Sequence, residues 1–462
     1  MRANGPVQTK PMLNRALIDQ YRCAEDTAEY CLSGELSEDS GYFAFGPGTI
    51  CHGQCASGYR RPYPTPPLYD AVEDVKTVGS TVWLPFDPTK VVHNLRFERY
   101  VSNNSYQRSR LVSVGVVRTA YYTLRPLLPV PVRKYFQRVY LRGWDRRPFP
   151  NWPVDLSVEK ILERFLVLSI KAKGLDEVPF IWYWPEGAQS CALMTHDVET
   201  TAGRDFCATL MDIDDEFGVK ASFQIVPEER YKVAEDFLRS IRERGFEILV
   251  QDLNHDGYLY SDWHEFLRRA KLINQYGREY TARGFRAGVM YRNQEWYSEL
   301  DFSYDMSVPN VAHLDPQPGG CCTVFPYFIG DMLELPVTTT QDYTLFHILR
   351  QSDISHWKRQ ARLILERHGL ISFIVHPDYI MGRAHLQLYR DLLAYLSSLR
   401  AEENVWIPLP GEADSWWRAR SRMALVSEAG RWHIEGPQKE RARIAYARVE
   451  NDRVMYRLGT KS

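Results

Sequence analysis

The chain has 462 residues, more than one hydrophobic core usually serves, so it is expected to divide into two or three domains. Hydrophobic residues make up 44% and charged residues 25%, the balance of an ordinary globular protein. A formal net charge of -1 gives no overall field to favour nucleic acid or an anionic membrane as a partner.

Residues 1–20 contain no apolar core of signal-peptide length, and no apolar run reaches the length of a membrane span. The expectation is a cytoplasmic protein with no transmembrane segment and with its eight cysteines reduced. Cys51-His-Gly-Gln-Cys55 has a spacing that zinc could use, but no second tight pair completes a site. Residues 1–150 read as an N-terminal region of unclear role, a module or cap rich in Tyr, Gly and Pro. Within it, the apolar stretch Leu111–Val132 is interrupted by Arg118, Arg125 and three prolines. It reads as a buried helix rather than an amphipathic surface helix, and a basic stretch, Arg142–Arg147, follows it. Residues 151–178 read as a helix linker. In it Ile161, Leu162, Phe165, Leu166 and Ile170 share one face of a helix over 157–173, with Ser157 as the cap.

From about Pro179 apolar strand patterns alternate with helical ones. The strand candidates are 191–197, 221–226, 246–250, 284–286, 333–337, 371–376 and 405–408. Such alternation predicts an α/β unit over 179–410 with a parallel sheet or barrel. After Gly411 the pattern changes to that of an antiparallel meander, a small C-terminal β module over 411–462.

Polar clusters follow the apolar runs. Ser190–Glu199 begins as an uncharged strand and ends in His196-Asp197-Val198-Glu199. Asp197 and Glu199 are two apart and would share a face of continued strand, whereas His196 reads as structural. The third strand is followed by Gln251-Asp-Leu-Asn-His255, the fourth ends in Arg286, and a late one leads to His376. Carboxylates, imidazoles and an arginine at strand C-termini are the layout of an active site in parallel α/β folds.

Taken in order over residues 179–408, these motifs resemble the polysaccharide deacetylases with NodB homology, carbohydrate esterase family 4. Thr195-His-Asp-Val-Glu199 is similar to the first motif of a divergent D-V-E branch. Gln251 to His255 stands where the family has H-x3-H, Arg286-Ala-Gly288 where it has R-x-P, and His376 where it has its last histidine. The resemblance implies a distorted parallel (β/α)7-type barrel. It also implies a divalent metal ion, and removal of an acyl group from an N-acylated sugar or glycan precursor. By the same comparison Asp197 is the general base, Arg286 the residue orienting it and His376 the general acid, while Glu199, His255 and Gln251 are metal ligands.

The chemistry agrees with those residue types. A bound metal lowers the pKa of its water, a carboxylate takes the proton, and an imidazole protonates the leaving amine. Gln251 is the main departure from the family pattern. An amide oxygen is a poorer zinc ligand than imidazole, so the expected ion is zinc or a harder, oxygen-favouring metal. Asp305 and Asp342 are the candidates for a carboxylate that orients the acid. Two other readings follow from the same residues. One is a catalytically inactive deacetylase-fold protein that binds a glycan or a partner protein, which Gln251 favours; the other is an amidohydrolase acting on a non-sugar amide.

Overall fold

The computed structural model describes residues 11–56, 61–101 and 130–459. The apolar stretch Leu111–Val132 lies almost wholly outside the described residues. Among the described residues, no helix is long and apolar enough to cross a membrane. The chain forms two compact units. One gathers the described parts of Met1–Asn104, Leu156–Gly187 and Arg418–Ser462, the other those of Ser105–Asp155 and Ala188–Trp417.

In the first unit the helix Ser157–Lys173 buries Ile161, Leu162, Phe165, Leu166 and Ile170, as their spacing requires. Its cap differs from the expectation. Leu156 holds the N-cap position and makes no side-chain cap, while Ser157 is already the first helical residue. Strands Ile444–Glu450 and Arg453–Leu458 form a hairpin, and the first of them pairs antiparallel with Val178–Ile181. Arg420 is 1% exposed and donates to the carbonyls of Trp182, Ile181 and Gln20 at 2.9, 2.6 and 2.8 Å. Burial pushes its pKa down to about 9.

The second unit is built on a nine-stranded sheet. Its order is Tyr327–Ile329, Met332–Glu334, Tyr304–Asp305, Gly284–Arg286, Glu247–Gln251, Ala221–Ile225, Ser190–Val198 and Leu370–Ile374, with Val405–Trp406 also paired to Ser190–Val198. Every pairing is parallel except that of Tyr327–Ile329 with Met332–Glu334. All nine residues of Ser190–Val198 are buried, which is the condition of a central parallel strand covered on both faces.

The closed barrel implied by the family resemblance is not formed by the described strands, which make an open sheet. Along the outer edge of Leu370–Ile374 the chain makes isolated bonds in place of a paired strand, among them Thr339 N to Ser372 O at 3.3 Å. Thr338 Oγ1 donates to Leu370 O at 2.8 Å and accepts from Ser372 N at 2.9 Å, and Thr339 Oγ1 donates to Ser372 O at 2.8 Å. Threonine side chains and a backbone bond thus bridge to this edge where a continuous strand would pair. At the other edge, the chain reverses at Gly330, φ 60°, into an antiparallel strand instead of crossing over by a helix.

Candidate active site

The C-terminal ends of the parallel strands bring six of the singled-out side chains together. The register sets Asp197 against Gln224 and Gln251 against Arg286. Arg286 is fully buried. Its Nη1 donates to Asp197 Oδ1 and, at 2.9 Å, to Thr195 Oγ1, and its Nε donates to Met306 O at 3.0 Å. Three anchors on a planar fork fix the direction of the Asp197 carboxylate. Gln251 lies between the two carboxylates of the first strand end. Its Nε2 donates to Asp197 Oδ2 at 3.1 Å and to Glu199 Oε1 at 3.2 Å, while its buried Oε1 has no partner among the described residues.

Two histidines close around Glu199. His255 Nε2 lies 2.8 Å and His376 Nε2 3.5 Å from Glu199 Oε1. Asp342 is the carboxylate that orients His376. It accepts from ring Nδ1 at 2.6 Å and from the backbone N–H of His376 at 2.8 Å. Asp305, the other candidate, instead bonds Ser307 and pairs in register with Glu334. Burial alone would raise the Glu199 carboxyl, but the rings of His255 and His376 outweigh it and hold it well below its ordinary 4.5. Burial opposes charge on His376, yet Asp342 and then Glu199 raise its pKa well above 6.5.

The backbone around these groups is held in an uncommon conformation. Asp252, His255, Val289 and Met290 have φ of 53°, 56°, 60° and 55°, a left-handed region unfavourable for any of them and most of all for β-branched Val289. Gly288 is required where it stands. A Cβ there would lie 2.5 Å from Asp252 Oδ2 and 3.0 Å from the His255 ring. His196, by contrast, is a packed structural residue, with Nε2 3.1 Å from Asp214 Oδ2 and Nδ1 3.2 Å from Val375 O.

No protein-family model matches the chain, and neither does any curated protein. Solved structures similar to it cover about half of its length. One is described as a polysaccharide deacetylase from Mycobacterium smegmatis, with 19% identity over 52% of this chain and 93% of that one and a TM-score of 0.41. Another is the allantoinase PuuE, with 13% identity over 51% and 92% and a TM-score of 0.39. A third is the peptidoglycan deacetylase PdaC from Bacillus subtilis, in a mutant form, with 10% identity over 50% and 93% and a TM-score of 0.33. At such identities and TM-scores the likeness assigns neither family nor activity to this chain.

The donor set can be tested directly for a metal ion. Asp197, Glu199 and His376 each offer one ligand atom, all within 4.8 Å of one another. His376 suits the role, because a carboxylate on Nδ1 turns the lone pair of Nε2 towards the centre. The set implied by the resemblance, Glu199, His255 and Gln251, fits less well. His255 Nδ1 faces Arg230 Nη2, a donor, at 3.1 Å, so the ring proton belongs on Nε2, where a ligand needs a lone pair. Gln251 turns its NH2 group, not its carbonyl, to the carboxylates.

Arg230 and Asp252 escaped sequence reasoning. Arg230 follows the second strand in Pro227-Glu-Glu-Arg230, a strand end from which the sequence reading takes no site residue. A search for any charged group after an apolar run would have found it. Asp252 is fully buried beside Gln251, and burial raises its pKa.

Proposed function

We propose that the protein is a hydrolase that removes an acyl group from an N-acylated sugar or glycan precursor. The observation that carries this reading is the pairing of two oriented groups across one buried centre: Asp197 fixed by Arg286, and His376 fixed by Asp342, with Glu199 between them. Asp197 Oδ2 is the base that takes a proton from water, and His376 Nε2 gives one to the leaving nitrogen. Arg286 keeps Asp197 in a single orientation, and Asp342 keeps the Nε2 side of His376 turned inward. A divalent ion, zinc or a harder metal, would be held at Glu199, beside Asp197 and His376, and would supply an activated water, leaving Asp197 Oδ2 and His376 Nε2 for the proton transfers.

One observation favours a second reading, a catalytically inactive protein that binds a glycan or a partner. The Gln251 amide donates to both carboxylates and so stands where a cation would sit. Metal content and acetate release from N-acetylated oligosaccharides separate the two readings when measured on the wild type, Asp197→Asn and Gln251→His. The hydrolase reading expects acetate release that Asp197→Asn abolishes, and tighter metal binding in Gln251→His. No release from the wild type, and no gain from Gln251→His, would establish the inactive reading. Release unchanged in Asp197→Asn would refute the proposed base.

A further inference from the structure

The helix Val130–Tyr140 turns its apolar side to solvent. Val132, Tyr135, Phe136, Val139 and Tyr140 recur at helical spacing, and Tyr135, Phe136 and Val139 are 59%, 50% and 53% exposed. The opposite side faces the unit. Gln137 accepts a hydrogen bond from the Tyr343 hydroxyl, and Leu141, just past the helix, is buried. Single exposed apolar residues are normal on a protein surface, but a continuous stripe on one helix marks a contact face.

The surrounding sequence sets the charge of the partner. Between Glu98 and Asp145 there is no acidic residue and there are nine Lys or Arg, in a chain whose net charge is -1. Three of the nine, Arg133, Lys134 and Arg138, belong to the helix itself. Two copies meeting through this face would bring like charges together. Exposed aromatic and valine side chains in a stretch of sequence whose charges are all positive match an anionic bilayer, where rings enter the boundary between headgroups and acyl chains and cations meet lipid phosphates.

We infer that this helix docks the protein on an anionic lipid surface. The same helix is linked to the candidate site through its bond to Tyr343. The Tyr343 ring lies 5.3 Å from that of Tyr379, which in turn lies 4.8 Å from the ring of His376. Docking therefore holds the site close to the lipid.

The test is co-sedimentation of the full chain with vesicles of phosphatidylcholine alone and of phosphatidylcholine mixed with phosphatidylglycerol. The expected result is at least about tenfold stronger binding to the anionic vesicles, weakening as salt is added. Phe136→Glu and Val139→Glu should each remove most of that binding without lowering the melting temperature, because both side chains are exposed. Val139→Ser, a milder change, should weaken binding less. Absence of binding, equal binding to both vesicle types, or Phe136→Glu that binds like the wild type would overturn the inference. So would sedimentation velocity showing a dimer that Phe136→Glu splits while no form of the protein binds vesicles, since the face would then belong to a second copy.

Discussion

Glu334 and Asp305 are paired in register on adjacent parallel strands, and both are fully buried. Asp305 accepts from the N–H and hydroxyl of Ser307 at 2.9 and 2.7 Å. Glu334 Oε1 accepts from Val308 N at 3.1 Å, but Oε2 has no partner unless Glu334 carries a proton and donates it to Asp305. Burial raises the Glu334 pKa well above 4.5, and the charge of Asp305 pushes it the same way. The folded chain therefore keeps a proton that the unfolded chain releases above its ordinary value. Stability from this group is complete below about pH 4.5 and is lost as pH rises towards the folded value, at about 1.4 kcal/mol per pH unit.

Glu334→Gln keeps the size and supplies a permanent N–H donor to Asp305, so it removes the titration without leaving a cavity. Urea unfolding of both proteins at about pH 5, 6 and 7 measures the difference. The wild type should lose stability relative to the variant as pH rises above about 4.5, at no more than about 1.4 kcal/mol per pH unit. Parallel stability curves for the two proteins, or a wild type that gains on the variant as pH rises, would refute a shared proton.

Other outcomes follow from the site. Gly288→Ala drives a methyl group against Asp252 and the His255 ring and should cost about 1–3 kcal/mol, read from the unfolding midpoint. Asp342→Asn removes a charge-assisted bond to His376 and should lower stability by about 1.5–3 kcal/mol; acetate release should fall with it, and Asp342→Glu should restore part of that release. Arg230→Met takes away the donor that faces His255 Nδ1, so the ring can move its proton there and present Nε2 as a ligand. Zinc affinity should rise by roughly tenfold or more, measured by competition with a chromophoric chelator.

The strands of the sheet were legible because a parallel strand buried on both faces reads as a continuous apolar run. Cys191–Met194, the start of Ser190–Val198, is such a run and Leu370–Ile374 nearly so, and the chemistry stands at the strand ends. Short strands such as Tyr304–Asp305 and Tyr327–Ile329 leave too few residues for a period to show. That the stretch after Met332–Glu334 meets Leu370–Ile374 through threonine side chains and a backbone bond, and not as a paired strand, is information no local pattern carries. The same holds for the candidate site. That Asp197, Glu199, His255 and His376 carry chemistry is visible in their types and spacing. That the Gln251 amide donates to two carboxylates, and that Arg230 faces His255, depends on side-chain directions set by contacts distant in sequence. Composition shifts likewise mark boundaries along the chain, whereas the first unit gathers three separated segments.

The pairing of Val178–Ile181 with Ile444–Glu450 bears on how the chain is made. Phe180 waits for Ala445, 265 residues later, before its strand gains this neighbour. At ribosomal rates of about 5–20 residues per second, that is roughly 13–53 seconds. Throughout that interval, strand Val178–Ile181 leaves the ribosome with an apolar, unpaired edge of the kind that seeds association between chains. A strand synthesised much later is thus the one that covers it, and chains halted before Ile444 are a natural target for nascent-chain chaperones.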